Sequence, residues 1–222
     1  MAKINIAIDG PAGAGKSTIA KIVSKELGII YLDTGAMYRT VALKAMRNSI
    51  DTRDREKLAG LVKNINIDIN HSENEQLIYL DGENVSSEIR TPEVSIGASN
   101  VAVSPEVRIK MVELQRQIAD KSSVVMDGRD IGSYVLPNAA YKFFLTASIE
   151  ERAKRRFEEQ VQKGISDISL DAVKRDIEYR DKNDSCRDFA PLCKAEDAVE
   201  IDTTNLTIQE VVQIIIKAVR GN

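Results

Sequence analysis

The run Gly10-Pro11-Ala12-Gly13-Ala14-Gly15-Lys16-Ser17, with Thr18 directly after it, fits G-x-x-x-x-G-K-[ST] without deviation. The glycines let the backbone curl until successive N–H groups converge on phosphate oxygens. A helix opening at Lys16 would add its own unpaired N–H groups and the positive end of its dipole. Lys16 is suited to the β- and γ-phosphates of a nucleoside triphosphate, and the Ser17 hydroxyl to the Mg²⁺ that accompanies them. A match of this kind arises by chance in about one chain in a hundred of this length. An apolar β-rich run before it and an apolar-striped helical pattern after it make chance rarer still.

Such a loop fixes the phosphate donor, not the reaction. A GTPase switch would read guanine through N-K-x-D, which is absent; Asp181-Lys182-Asn183-Asp184 resembles it only superficially. The remaining charged chemistry is arginine. Asp33-Thr34-Gly35-Ala36-Met37-Tyr38-Arg39 and Asp127-Gly128-Arg129-Asp130 each follow an apolar run, at the strand ends where α/β sheets bind ligands. Arg152, Arg155 and Arg156 share one helix face at i, i+3 and i+4, and Arg180, Asp184 and Arg187 come soon after. Phosphoryl transfer between two polyanions needs charge neutralisation and in-line positioning, with little covalent work for side chains. Lys16, Arg129 and Arg156 are the cations expected at the transferring group. Water must also be kept out, which calls for a closing element. No histidine base is needed, because a phosphate acceptor is already ionised. The single histidine, His71, lies in a polar stretch over 71–75 that reads as a solvated loop.

The elements that would position these residues alternate. Ile4 to Asp9 reads as a buried strand, followed by a helix with Ile19, Ile22, Val23 and Leu27 on one face and Gly28 as its C-cap. Ile29 to Leu32 is a second strand and Ala36 to Asn48 a second helix; Val124 to Met126, Lys142 to Leu145 and Ala198 to Ile201 are further strands. Ser148-Ile149-Glu150-Glu151 and Thr207-Ile208-Gln209-Glu210 read as capping boxes. Alternation of this kind implies a parallel sheet covered by helices on both faces. Ile65 to Ile69, Leu77 to Leu80 and the Asp81-Gly82 turn break it, predicting a small antiparallel unit inserted before the central strand.

Composition narrows the partners. The chain has 222 residues, 43% of them hydrophobic, enough for a sizeable core. A net charge of −3 is not that of a protein that binds a phosphate polymer, so nucleic acid is not an expected partner. Cys186 and Cys193 lack metal spacing and read as free thiols. No run of 18 apolar residues occurs, and the N-terminal apolar run is too short for a signal peptide, so the expected location is the cytoplasm without membrane contact. Nothing demands an oligomer, and a monomer is expected.

The motifs together resemble the bacterial cytidylate kinase family. The resemblance rests on Gly10 to Thr18, Leu32 to Arg39, Ser86-Ser87-Glu88-Ile89-Arg90-Thr91-Pro92-Glu93-Val94, Asp127 to Gly132, and Arg180 to Arg187 with Pro191-Leu192 after it. These lie in order between residue 4 and about residue 215. The resemblance implies an α/β P-loop kinase: a parallel sheet flanked by helices, an inserted antiparallel monophosphate-binding domain over 63–100, and a helical lid over 152–187. It implies transfer of the γ-phosphoryl group of ATP to CMP or dCMP, with Mg²⁺. Arg39, Arg129 and Arg187 would hold the acceptor phosphate, Ser99, Arg108 and Asp130 the cytosine, and Arg180 and Asp184 the pentose, with Thr34 and Tyr38 lining the pocket. Asp127 or Asp33 would join Ser17 at the metal through water. Ser133-Tyr134 stands where the family has Thr-Val, a difference expected to alter local packing.

Cytosine offers an amino donor at N4, which uracil replaces by a carbonyl. A carboxylate at Asp130 would therefore favour CMP over UMP by about ten- to a hundredfold. The alternatives are a UMP/CMP or adenylate kinase, a P-loop kinase of another metabolite such as shikimate, or a regulatory module that binds ATP without turnover. The hairpin insertion speaks against adenylate and shikimate kinases, whose acceptor domains are expected to be helical. The arginines at the strand ends speak against the regulator.

Overall fold

A computed structural model describes residues 3–71, 76–162, 164–165 and 168–221. Its centre is a five-stranded sheet made from β1 (Asn5–Asp9), β2 (Ile30–Asp33), β6 (Val124–Gly128), β7 (Tyr141–Thr146) and β8 (Val199–Asp202). The order is β2-β6-β1-β7-β8, and every pair is parallel. From β1 the chain crosses to β2 on one side, and from β6 it crosses to β7 on the other. The order therefore reverses beside β1, and the loops after β1, β2 and β6 open a crevice there.

The strands are apolar almost throughout because helices cover both faces. Side-chain alternation splits them between two cores. Ile6, Ile8, Val125 and Phe143 pack with Ile19 and Val23 of α1 (Lys16–Leu27) and with Val212 and Ile215 of α8 (Ile208–Arg220). Ala7, Leu32, Val124 and Met126 face the other way, toward Met37 and Val41 of α2 (Thr34–Arg47) and Met111 of α5 (Pro105–Lys121).

Between α2 and α5 lie α3 (Arg55–Lys63), a three-stranded antiparallel sheet and α4 (Pro92–Val101). The small sheet joins β3 (Ile67–His71), β4 (Gln76–Leu80) and β5 (Glu83–Asn84). Asp81 and Gly82 both take positive φ, 52° and 89°, the two-residue turn that fits hairpin twist. That turn adds a third strand to the expected hairpin. His71 ends β3 and is not a loop residue; the rest of the expected loop, 72–75, lies outside the described residues. α4 packs tightly on α2: a Cβ at Gly97 would come within 2.6 Å of Met46 Cε and 3.1 Å of Ala42 Cβ.

Two helices after β7, α6 (Ile149–Gln162) and α7 (Leu170–Cys186), pack on each other through Ala153, Val173 and Ile177 and bury Ala12 of the glycine-rich loop. The capping box of α8 is complete. That of α6 is half made. Ser148 Oγ accepts from the Glu151 N–H at 3.2 Å, but the Ser148 N–H donates to Thr204 Oγ1, and the Glu151 carboxylate pairs with Arg155 instead. Among the described residues no helix is long and apolar enough to cross a membrane.

Ile215 is fully buried between α8 and the sheet. Ile215→Ala should lower the unfolding free energy by about 2–5 kcal/mol, read as a lower urea midpoint at unchanged m-value. A shift below about 0.5 kcal/mol, the range of surface substitutions, would mean that this face of α8 is not core.

Candidate active site

The loops after β1, β2 and β6, together with α4, α6 and α7, enclose a cavity of about 670 Å³. One end is the glycine-rich loop. Gly10, Gly13 and Gly15 take φ of 145°, 77° and 84°, and α1 starts directly after Gly15. Residues Ala12 to Thr18 line the cavity; Gly10 and Pro11 lie behind it. Gly10 has a packing reason of its own, since a Cβ there would sit 2.0 Å from the Leu145 carbonyl oxygen of β7.

Lys16 is buried and its Nζ donates to the Pro11 carbonyl at 2.7 Å. Burial, and then the Arg129 guanidinium, pull its pKa down to about 7. Phosphate oxygens would reverse that shift by favouring the ammonium. Ser17 Oγ donates to Asp127 Oδ2 at 2.8 Å, and Tyr31 Oη donates to the other carboxylate oxygen at 2.8 Å. Burial raises the Asp127 carboxyl, and nearby Asp33 raises it further. Thr34 Oγ1 donates to the Asp127 carbonyl at 2.7 Å, tying the start of α2 to the end of β6.

Arginines and carboxylates interleave at the opposite end. Arg39 pairs with Asp33 at 2.7 Å and Arg129 with Asp184 at 2.7 Å. Asp130 takes Arg108 on one oxygen and Arg187, at 3.3 Å, on the other. Burial pushes the Asp33 carboxyl upward, but Arg39 and the Ala36 N–H outweigh it and hold the group below its usual range. The Arg108 guanidinium stands 5.5 Å from the Tyr38 ring centroid. Several buried polar atoms here have no hydrogen-bond partner among the described residues: Ser99 Oγ, Arg108 Nε, Arg39 Nε and Arg180 Nε. Burial, and then Arg129, draw the Arg180 pKa down to about 10. An anion would relieve that crowding.

Thr34, Tyr38, Arg39, Ser99, Arg108, Arg129, Asp130, Arg180, Asp184 and Arg187 all line this one cavity. Arg156 lines it too, paired with Glu159 at 2.8 Å. Arg152, expected on the same helix face, turns away. It donates to the carbonyls of Ala147 at 3.0 Å and Ala12 at 2.9 Å, and pairs with Asp181 at 2.5 Å. Arg155 binds Glu151 and both oxygens of Thr203, at the wall formed with Leu206, Ile208 and Val211. That wall follows β8, and no sequence motif marked it. Tyr31 was equally silent. Asp9 had a signal, a carboxylate closing an apolar strand. It is buried and accepts from the N–H groups of Ile131 at 2.8 Å and Gly132 at 2.7 Å.

A parallel sheet with a glycine-rich loop at its reversal point, facing arginines across one cavity, defines a P-loop kinase. The family is more specific than the class. Residues 6–221 match the family described as cytidylate kinase, and the chain belongs to that family. It is 52% identical over 217 residues to the cytidylate kinase of Caldicellulosiruptor bescii, covering 98% of this chain and 96% of that one. It is also 52% identical over 219 residues to the cytidylate kinase of Bacillus cereus strain B4264, covering 99% and 97%. A shikimate kinase structure from Bacteroides thetaiotaomicron superposes with a TM-score of 0.50 at 13% identity, covering all of both chains, a likeness of fold alone.

Burial raises the Asp9 pKa to about 7 against the opposing pull of the two backbone N–H groups. A carboxyl raised on folding adds stability at low pH that is lost as pH climbs from its unfolded value through about 7. Relative to wild type, Asp9→Asn should therefore gain unfolding free energy between about pH 4 and pH 8, on the order of a few kcal/mol. Denaturant melts across that range would test it, and a flat difference would show that Asp9 is ionised throughout.

Proposed function

We propose that the chain transfers the γ-phosphoryl group of ATP to CMP, and to dCMP, giving ADP and CDP or dCDP. The observation that carries this reading is the buried Asp130 carboxylate on the cavity wall, held by Arg108 and Arg187, in the same cavity as a Ser99 hydroxyl with no partner among the described residues. A carboxylate fixed in that way accepts from an exocyclic amine, while Arg108 and Ser99 supply donors for the ring acceptors of cytosine. Uracil would turn a carbonyl toward the same carboxylate.

Arg39, Arg129 and Arg187 are the cations for the acceptor phosphate, and Arg180 and Asp184 stand toward the pentose. Thr34 and Tyr38 close the sides. At the donor end the backbone from Ala12 to Thr18 wraps the triphosphate, and Lys16 neutralises its terminal oxygens. Gly10 and Pro11 shape the loop from behind. Arg129 and Arg156 line the same cavity and are the cations for the transferring group. Their charges favour a transition state in which negative charge spreads over the equatorial oxygens. The acceptor phosphate needs no general base. In this reading α6 and α7, over 152–187, are the lid, and 63–100 is the monophosphate-binding insert. Lid closure keeps water from competing with the acceptor.

The Ser17 hydroxyl and the Asp127 carboxylate form a pair of oxygen donors that fits Mg²⁺, an ion that takes few protein ligands and keeps most of its waters. Bound there, Mg²⁺ would supply positive charge that offsets the charge of the donor phosphates. Tyr31 holds the Asp127 carboxylate in place from behind. The enzyme acts as a monomer on soluble nucleotides in the cytoplasm.

ADP release from Mg·ATP, screened over CMP, dCMP, UMP, AMP, GMP and dTMP, should be fastest with CMP and lost in Lys16→Ala. ATP binding with no stimulation by any monophosphate would refute the acceptor assignment. In Asp130→Ala the CMP-over-UMP preference in kcat/KM should fall by about ten- to a hundredfold. An unchanged ratio would remove Asp130 from base recognition.

A further inference from the structure

Three successive residues of α7 point to three different places. At 3.6 residues per turn, neighbours on a helix are about 100° apart, so residues i−1 and i+1 flank residue i on opposite sides. Arg180 enters the cavity, with its Nε unpartnered. On one side of it, Tyr179 Oη donates to Asn100 Oδ1 at 2.7 Å. Asn100 belongs to α4, next to Ser99, and is itself fixed by its Nδ2 donating to Thr52 Oγ1 at 2.9 Å. Arg53 completes that cluster by donating to Tyr179 Oη at 3.2 Å. On the other side, Asp181 Oδ1 accepts the Ala12 N–H of the phosphate-binding loop at 3.0 Å. Arg152 takes the Ala12 carbonyl and pairs with the other oxygen of Asp181, so both polar groups of the Ala12 backbone are held from α6 and α7. A Cβ at Gly13 would meet the Arg152 backbone oxygen at 3.0 Å, so the loop also packs directly on the start of α6.

From this geometry we infer that Tyr179 and Asp181 are positioning residues that pin α7 between the acceptor wall and the donor loop, and thereby hold Arg180 in the cavity between them. The inference rests on the proposed phosphoryl transfer. Neither side chain lines the cavity, so each acts through what it holds. Their anchors are unlike: Tyr179 is held by its hydroxyl between Asn100 and Arg53, and Asp181 by its carboxylate between the Ala12 N–H of the loop and Arg152 of α6. Both constrain the same turn of helix. Loosening either lets the guanidinium of Arg180 drift, and a misplacement of about 1 Å at a distance from the chemistry can cost a hundredfold in rate. Loosening the Asp181 side also frees the Ala12 N–H of the loop from α7, which opens the donor phosphates to water.

The test uses Asp181→Asn and Tyr179→Phe, each near-isosteric, and their double variant, with CMP-dependent ADP release and acceptor-free ATP hydrolysis measured side by side. Asp181→Asn should lower kcat by about ten- to a hundredfold and raise hydrolysis relative to transfer. Tyr179→Phe should lower kcat by a smaller factor. The double variant should lose less than the product of the two single losses, because both anchors serve one position. Folding is checked by thermal melts. Variants that melt lower yet keep kcat and the transfer-to-hydrolysis ratio at temperatures where they are folded would make both residues merely structural and overturn the inference. So would strictly multiplicative losses. If the wild type prefers another monophosphate, the acceptor assignment fails and the same comparison, run with that acceptor, still decides the bridge. A wild type that turns over no monophosphate overturns both.

Discussion

Cations crowded into a small volume set the terms for the whole molecule. Lys16, Arg39, Arg129, Arg156 and Arg180 line one cavity with Arg108 and Arg187. Two such charges about 6 Å apart repel by about 3 kcal/mol at an effective dielectric constant near 20. The fold tolerates them because carboxylates alternate with them: Asp33 on Arg39, Asp184 on Arg129, Asp130 between Arg108 and Arg187. Burial draws Lys16 down to about 7 and Arg180 down to about 10, and the Arg129 guanidinium adds to both shifts. Phosphate groups, in the proposed reading, would favour the charged form of both side chains.

Short side chains, not the loops' own stiffness, hold that arrangement in register. Asp9 at the end of β1 binds the turn that follows Asp130, and Thr34 at the start of α2 binds the end of β6. Gly128 lies between them with no room for a side chain, its hypothetical Cβ 2.6 Å from Ile131 and 3.0 Å from Thr34 Oγ1. The floor of the cavity is therefore cross-linked strand to strand. The roof, made by α6 and α7, reaches it through a few charged and polar contacts and the small apolar cluster at Ala12.

The parts legible in the sequence were those with local causes. The glycine-rich loop, the strand–helix alternation, the Gly28 cap, the Thr207 box and the Asp81-Gly82 turn depend on neighbours in the chain, and each has its counterpart in the structure. The arginines after β2 and β6 could be placed because strand ends in a parallel sheet converge. Convergence of Ser99 and Arg108 on the same cavity came from family resemblance, since nothing in their spacing announces it. Tyr31, Arg152 and Asp181 escaped because their partners are 96, 140 and 169 residues away in sequence. Helical spacing put Arg152 on a face with Arg155 and Arg156 but could not say that the Ala12 carbonyl would claim it. The Ser148 box failed for a similar reason, a rival acceptor at Thr204.

The contact between Gly10 and Leu145 separates two kinds of constraint inside one motif. Gly10 is demanded by the neighbouring strand, so a descendant that had given up its substrate but still folded would keep it. At Gly15 a Cβ would meet nothing within 4 Å, and only the left-handed backbone, at φ 84°, needs glycine there. Under drift without selection for turnover, the two glycines should decay at different rates. The first would outlast the chemistry with which the motif is associated, and its presence in a diverged sequence would testify to architecture alone.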